Sequence, residues 1–147
     1  MNKTIHELNS LSQAEATDEF IIYDVSEGES KKIQVQNLNN PNYSTTEQKT
    51  GGTWIDGKPI YRKVVDCGAL TNNAPKNVAH NIQNISFVVN YYAISANGTD
   101  WMSLPASWSS ALVGISVDLT NIIIRPYSDR RSYTTTYAII EYTKTTD

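Results

Sequence analysis

Gly51-Gly52-Thr53-Trp54-Ile55-Asp56-Gly57-Lys58-Pro59-Ile60-Tyr61-Arg62-Lys63-Val64-Val65 reads as two extended segments folded back on each other. Asp56-Gly57 supplies the positive φ of a tight hairpin turn. Thr53-Trp54-Ile55 and Lys58-Pro59-Ile60-Tyr61, on either side, are residue types that fit a pleated, half-buried surface. Pro59 has no N–H for a ladder, which predicts an outward-facing or edge position. From here strand and turn signals alternate at short intervals. Ile60–Val65 is followed by the turn Asn72-Asn73-Ala74-Pro75, a segment over 77–82, and the longest apolar strand, Ile85–Ile94. Asn97-Gly98 marks the strongest turn. Trp101–Pro105 and Ser107-Trp108 form an aromatic, partly irregular segment; strands over 111–117 and 121–125 flank Asp118-Leu119-Thr120. After a charged loop over 126–132, residues 133–143 alternate as a last strand. Six or seven strands so spaced predict an all-β chain, with an antiparallel, jelly-roll-like β-sandwich over residues 51–147.

Upstream, Glu19–Val25 and Lys31–Val35 read as a small hairpin around Ser26-Glu27-Gly28-Glu29-Ser30. Ile5, Leu8 and Leu11, three apart, suit a turn or two of helix or a packed extended arm. Gln36-Asn37-Leu38 starts a short helix that stops before Pro41. A lone hairpin is marginal in water, so this unit, residues 1–40, has to pack on something else. Residues 41–50 are polar, unpatterned and carry one proline, which is linker composition. Within them Ser44-Thr45-Thr46-Glu47 has the form of a helix-capping box.

Three blocks carry a family resemblance: Gly52–Lys63, then Asp66-Cys67-Gly68-Ala69-Leu70 with Val78-Ala79-His80-Asn81-Ile82, then Glu141–Asp147. In that order they resemble the terminal domain of tailed-bacteriophage fibre proteins, over about residues 51–147. The pattern departs at Cys67, where an aromatic or aliphatic residue is expected. Residues 1–40 resemble the short attachment module that begins many such fibres. The resemblance implies a homotrimeric head or tail fibre on the exterior of a virion, made in a host cytoplasm. Its first unit would dock on a capsid, tail or baseplate protein through Ile5, Leu8, Phe20, Ile22, Ile33 and Leu38. Its second would adhere to host-surface polysaccharide. No collagen-like, heptad or β-helix repeat is present, so the fibre would be a stub.

Composition fits an interface-rich β protein. Hydrophobic residues make up 39%, below the roughly 45–50% of ordinary domains when glycine is counted in. Nine tyrosines against two phenylalanines give aromatic surface a polar handle, which supports association. The net charge is −3; residues 1–50 hold eight acids and four bases, residues 51–147 seven and eight. Neither half forms the basic field that nucleic acid requires. The single cysteine rules out an internal disulfide and a cysteine zinc cluster. No 18-residue apolar run exists to insert in a membrane.

Chemistry-bearing residues are sparse. Of the two histidines, His80 reads as a hydrogen-bonded strand or subunit-interface residue rather than a base. No Gly-x-Ser-x-Gly nucleophile turn or phosphate-binding glycine loop occurs. Carboxylates for glycoside hydrolysis would have to come from Asp56, Asp66, Asp100, Asp118, Asp129 and Glu141, mostly turn positions where Asp has an ordinary structural reason. The expectation is no enzyme, no metal and no cofactor; a small capsule-degrading hydrolase is the outlying alternative. A sugar-binding surface is better supported. Trp108, Tyr127, Asp129, Arg130 and Arg131 combine aromatic faces with polar forks that bond hydroxyls. Asp129 pairing locally with an arginine is the competing reading, and Trp54 and Trp101 read as plugs of the sandwich. A free carbohydrate-binding module is the second functional class.

Overall fold

Residues 19–24, 28–34, 43–107 and 112–147 are described by a computed structural model of the chain. The chain divides into two compact units, Met1–Asn40 and Pro41–Asp147. The described residues are all-β, without a helix.

In the first unit β1 (Glu19–Asp24) and β2 (Glu29–Gln34) pair antiparallel, with Phe20 opposite Ile33 and Ile22 opposite Lys31. The expected hairpin is present. Ile5, Leu8, Leu11 and the segment 36–38 lie outside the described residues.

The described residues of the second unit form eight strands: β3 (Gln48–Thr53), β4 (Pro59–Asp66), β5 (Lys76–Ala79), β6 (Ile85–Ala96), β7 (Trp101–Leu104), β8 (Val113–Val117), β9 (Asn121–Pro126) and β10 (Thr135–Lys144). That is more than the expected six or seven, because the segment read as partly irregular supplies β7. Two antiparallel sheets result, ordered β3-β4-β10-β6-β7 and β5-β9-β8, an architecture consistent with a β-sandwich. Three consecutive pairs, β3–β4, β6–β7 and β8–β9, are hairpin neighbours, and the other four connections cross from one sheet to the other.

The polar stretch 41–50, read as a linker, is structured from Tyr43 on. Ser44 O accepts Val64 N–H at 2.8 Å, and β3 begins at Gln48, opposite Arg62. No helical turn forms at Ser44. Its hydroxyl accepts Thr46 N–H at 3.1 Å, and Glu47 is drawn instead to Lys144, whose Nζ lies 2.5 Å from Oε1, and to the Tyr142 hydroxyl. Long-range partners therefore override a local capping signal. Asp56-Gly57 makes the turn as anticipated: Gly57 has φ +85° and its N–H reaches Trp54 O at 2.9 Å. Pro59 is the first residue of β4, an internal strand, where a missing N–H costs little. On edge strand β3, Gly51 (φ +81°) sits where the register slips between Lys49 and Thr53, a bulge of the kind that blunts exposed edges.

β10 is the spine of the larger sheet, between β4 and β6. Its inward residues Thr136, Ala138, Ile140 and Tyr142 are at most 1% exposed. They join Ala93, Met102 and Leu104 with Val113, Ile122 and Ile124 of the smaller sheet in one core. Each such aliphatic side chain contributes roughly 1.5–3 kcal/mol by leaving water. Two polar residues in this layer satisfy each other: Ser95 and Thr136, opposite in register, share a 2.9 Å hydroxyl bond. Reciprocal 3.0 Å bonds between Ala106 and Val113 join the edges of the two sheets. Cys67, as expected, is a small buried residue; burial pushes its thiol up to about 11.

Candidate functional site

Strand alternation puts a second set of large side chains on the outward face of the five-stranded sheet. Register aligns Val64, Ile139 and Tyr92 in one row, and Asp66, Tyr137, Ile94 and Ser103 in the next. A third row, Arg62–Glu141–Asn90, closes one end. Tyr137 is 45% exposed and Ile94 43%. Trp101 is 75% exposed, not the plug anticipated. In β7, Met102 and Leu104 take the inward positions, so period two sends Trp101 and Ser103 out.

Tyr43 is carried onto this face by the strip that leads into β3. The Arg62 guanidinium stacks 4.7 Å from its ring centroid, and the Tyr92 hydroxyl donates to the Tyr43 hydroxyl over a long 3.4 Å. That bond, and then burial, push the Tyr92 phenol up to about 12. Arg62 is held in turn by Glu141, with Nη2 and Nε 2.6 and 2.9 Å from Oε1. Between Tyr43 and Tyr137 lies a cleft of about 370 Å3, floored by Val64 and Ile139 and flanked by Thr45. None of these five residues was singled out as a site by sequence reading. The available signal was β10 itself, whose two parities, Tyr137-Ile139 and Ala138-Ile140, both carry apolar side chains.

The 127–133 loop is held both by its own contacts and by backbone bonds to Leu70, Thr71, Asn73 and Leu112. Arg131 pairs with Asp129 through Nη2–Oδ2 at 2.7 Å, Nε–Oδ1 at 3.0 Å and its own N–H at 3.1 Å. The arginine's hydrogen bonds bring the Asp129 carboxyl down to about 2. Arg130 N–H bonds Thr71 O at 3.2 Å, which ties the loop to the residues before β5. Tyr127 is exposed. Trp108 lies outside the described residues. The loop thus brings Tyr127, Asp129, Arg130 and Arg131 into one surface segment, with Asp129 and Arg131 bonded to each other.

Three of the remaining carboxylates have turn roles. Asp56, Asp66 and Asp118 each accept the N–H two residues on, at 3.1, 2.8 and 2.8 Å. Backbone N–H groups of Thr120 and Asn121 hold Asp118 below the usual carboxylate range. Asp100 donates its N–H to Asn97 Oδ1 at 2.8 Å. His80 is 1% exposed, just beyond β5. Its Nδ1 accepts Ile82 N–H at 3.1 Å, so Nε2 carries the proton and donates it to Asp118 O, also 3.1 Å away. A depression of about 380 Å3 beside it, lined by Ile82, Asn84, Leu119 and Thr120, therefore meets a histidine with both nitrogens engaged. Among the described residues no three of His, Cys, Asp and Glu gather as a metal site. No helix among them is long and apolar enough to cross a membrane. Of the anticipated docking residues, Phe20 and Ile22 are placed in β1 and Ile33 in β2; Ile5, Leu8 and Leu38 fall outside the described set.

Comparison with protein-family models, curated proteins and solved structures returns no match.

Proposed function

We propose that the chain is a structural protein of a tailed-bacteriophage virion, a short homotrimeric head or tail fibre. In this reading the first unit docks on a capsid, tail or baseplate protein. The second, a jelly-roll-like sandwich, stands on the exterior and adheres to host-surface polysaccharide. It works by binding, without catalysis, cofactor, nucleic acid or membrane insertion, after synthesis in the host cytoplasm. The observation that carries the reading is the meeting of the fibre-like strings. The string around Gly52–Lys63 and the string from Glu141 lie side by side as β4 and β10, with Arg62 opposite Glu141. Trimerisation is supported by apolar surface that a lone subunit leaves in water. Ile55 is 91% exposed and Phe87 52%, and Trp54 stacks on Phe87 with ring centroids 5.7 Å apart; neighbouring copies would remove such surface from solvent. Adhesion is supported by the exposed ring and polar forks of the 127–133 loop.

Electron microscopy of the intact particle tests this, with three copies per attachment point expected and the second unit outward. Absence of the chain from purified particles would sink it. The competing class, a free carbohydrate-binding module, is favoured by the aromatic cleft. It requires a monomer in sedimentation, where the fibre requires three times the monomer mass.

A further inference from the structure

We propose that the cleft between Tyr43 and Tyr137 is a binding site for an uncharged saccharide, separate from the 127–133 loop. The proposal extends the sugar-binding part of the reading above and does not depend on the virion. Its volume of about 370 Å3 lies in the range of small-ligand sites, roughly 300–1,000 Å3. The lining is specific: two tyrosines and a threonine with the branched aliphatic side chains of Val64 and Ile139. A pyranose has one largely C–H face that packs on such rings, and an equatorial fringe of hydroxyls that needs donors and acceptors at the rim. The rim has them. The phenols of Tyr43 and Tyr92 are bonded only to each other across 3.4 Å, a separation that leaves bonding capacity for a ligand hydroxyl. Thr45 flanks the opening, and Asp66 stands exposed in the Tyr137 row, only its Oδ1 bonded, to Gly68 N–H.

Charge selects the class. The one cation at the cleft, Arg62, is locked on Glu141 at 2.6 Å, with side chains 15% and 20% exposed. Among the described residues no other cation lines the cleft to fork a phosphate, sulfate or uronate, so the complementary ligand is neutral. A purely alkyl ligand would leave the hydroxyl rim unused, whereas a sugar uses floor and rim together. One row further, Trp101, paired with Ala96 in register and 75% exposed, offers another ring to a longer chain.

Titration of the full-length, isotope-labelled chain with methyl hexopyranosides and neutral oligosaccharides, followed by amide chemical shifts, tests the proposal. Shifts centred on Val64, Tyr137 and Ile139 are expected. Tyr137→Ala should weaken binding at least about tenfold, the equivalent of roughly 1.4 kcal/mol for a stacked ring. Tyr137→Phe should retain it, and Tyr127→Ala should leave it unchanged. Tyr43→Ala, which removes the other exposed wall, gives an independent check if the first variant folds poorly. No response to any neutral saccharide overturns the proposal, as does full affinity in the alanine variants. Shifts confined to residues 127–133 overturn it too, while leaving polysaccharide adhesion intact. Self-association that buries the cleft, seen as a change of sedimentation in Tyr137→Ala, would assign the face to a second copy and overturn it as well.

Discussion

The two faces of β10 carry similar amounts of apolar side chain and have opposite fates. Inward, Thr136, Ala138, Ile140 and Tyr142 are all buried; outward, Ile139 is covered at 6% exposure but Tyr137 stands 45% exposed beside Ile94 and Trp101. The sequence of the strand does not distinguish the two. The number of strands on each side does: three cover one face of five, and among the described residues of this unit the strip from Tyr43 reaches across the other. Apolar character is thus needed inside for stability, whereas outside it is available for binding. Substitutions should separate the two uses.

The largest effect belongs to the inner face. Ile140 is fully buried, and Ile140→Ala should cost about 3 kcal/mol, combining lost transfer energy with a cavity. Tyr137→Ala, three residues away on the opposite face, should leave the denaturation midpoint nearly unmoved. Equal losses in chemical denaturation would break the comparison.

Glu47 sharpens it, because it suspends the outer wall from the inner layer. Its carboxylate takes the hydroxyl of buried Tyr142 and the Lys144 ammonium, and burial together with that bond pushes the Tyr142 phenol up. Burial alone would raise the Glu47 carboxyl; the bonds from Lys144 and Tyr142 more than offset it and hold the group below its ordinary 4.5. A carboxyl lowered in the folded state gives stability that is complete above 4.5 and is lost as the pH falls through the lower, folded value. Stability should therefore drop below about pH 4.5 in the native chain and less steeply in Glu47→Gln. At neutral pH that variant should lose about 2 kcal/mol, since a partly buried hydroxyl and ammonium keep only a neutral acceptor. Unchanged pH profiles would show that the strip is held some other way.

How much of this was legible in the sequence follows from where each signal resides. Asp56-Gly57, Asn97-Gly98 and Asp118-Leu119-Thr120 are turns made by residues within four positions of each other, and all three form. Strands β4, β6, β9 and β10 lie within about two residues of their expected ends. Tyr43 is not legible because its surroundings are polar and its place depends on the bond from Val64 N–H to Ser44 O, twenty residues apart. Trp101 reads as a plug of the sandwich, but Met102 and Leu104 beside it take the inward phase of β7. The cleft needs the order β4-β10-β6, which no local pattern encodes. The Asp129–Arg131 pairing was one of two readings; two residues apart in a turn, they meet without help from the rest of the fold.

A smaller effect tests whether the hairpin at the end of the sheet is a backbone or a packing feature. At Gly57 an added Cβ would meet nothing within 4 Å, so φ +85° is the whole constraint. Gly57→Ala should lower stability by about 1 kcal/mol through backbone strain alone, with cleft amides unshifted. A loss comparable to Ile140→Ala would mean that the turn sets the register of the whole β3–β4 pair.

The smallest effect is expected at the exposed loop, which makes it the sharpest contrast with the inner face. Asp129 and Arg131 are joined by three hydrogen bonds, yet their side chains are 49% and 67% exposed. Water and salt screen such a pair, and two ordered side chains offset what attraction remains. Asp129→Asn should therefore leave the denaturation midpoint unchanged in both 0.1 M and 1 M salt, although its carboxyl sits at about 2 in the folded chain. The low value reports a strong local preference for the charged form, and at exposed sites such a preference is weakly coupled to folding. If the midpoint instead falls, and falls more in low salt, the loop is coupled to the fold. The backbone bonds Arg130 N–H to Thr71 O, Asn73 N–H to Ser128 O and Leu70 N–H to Tyr133 O would then be the route by which loop and sheet act together.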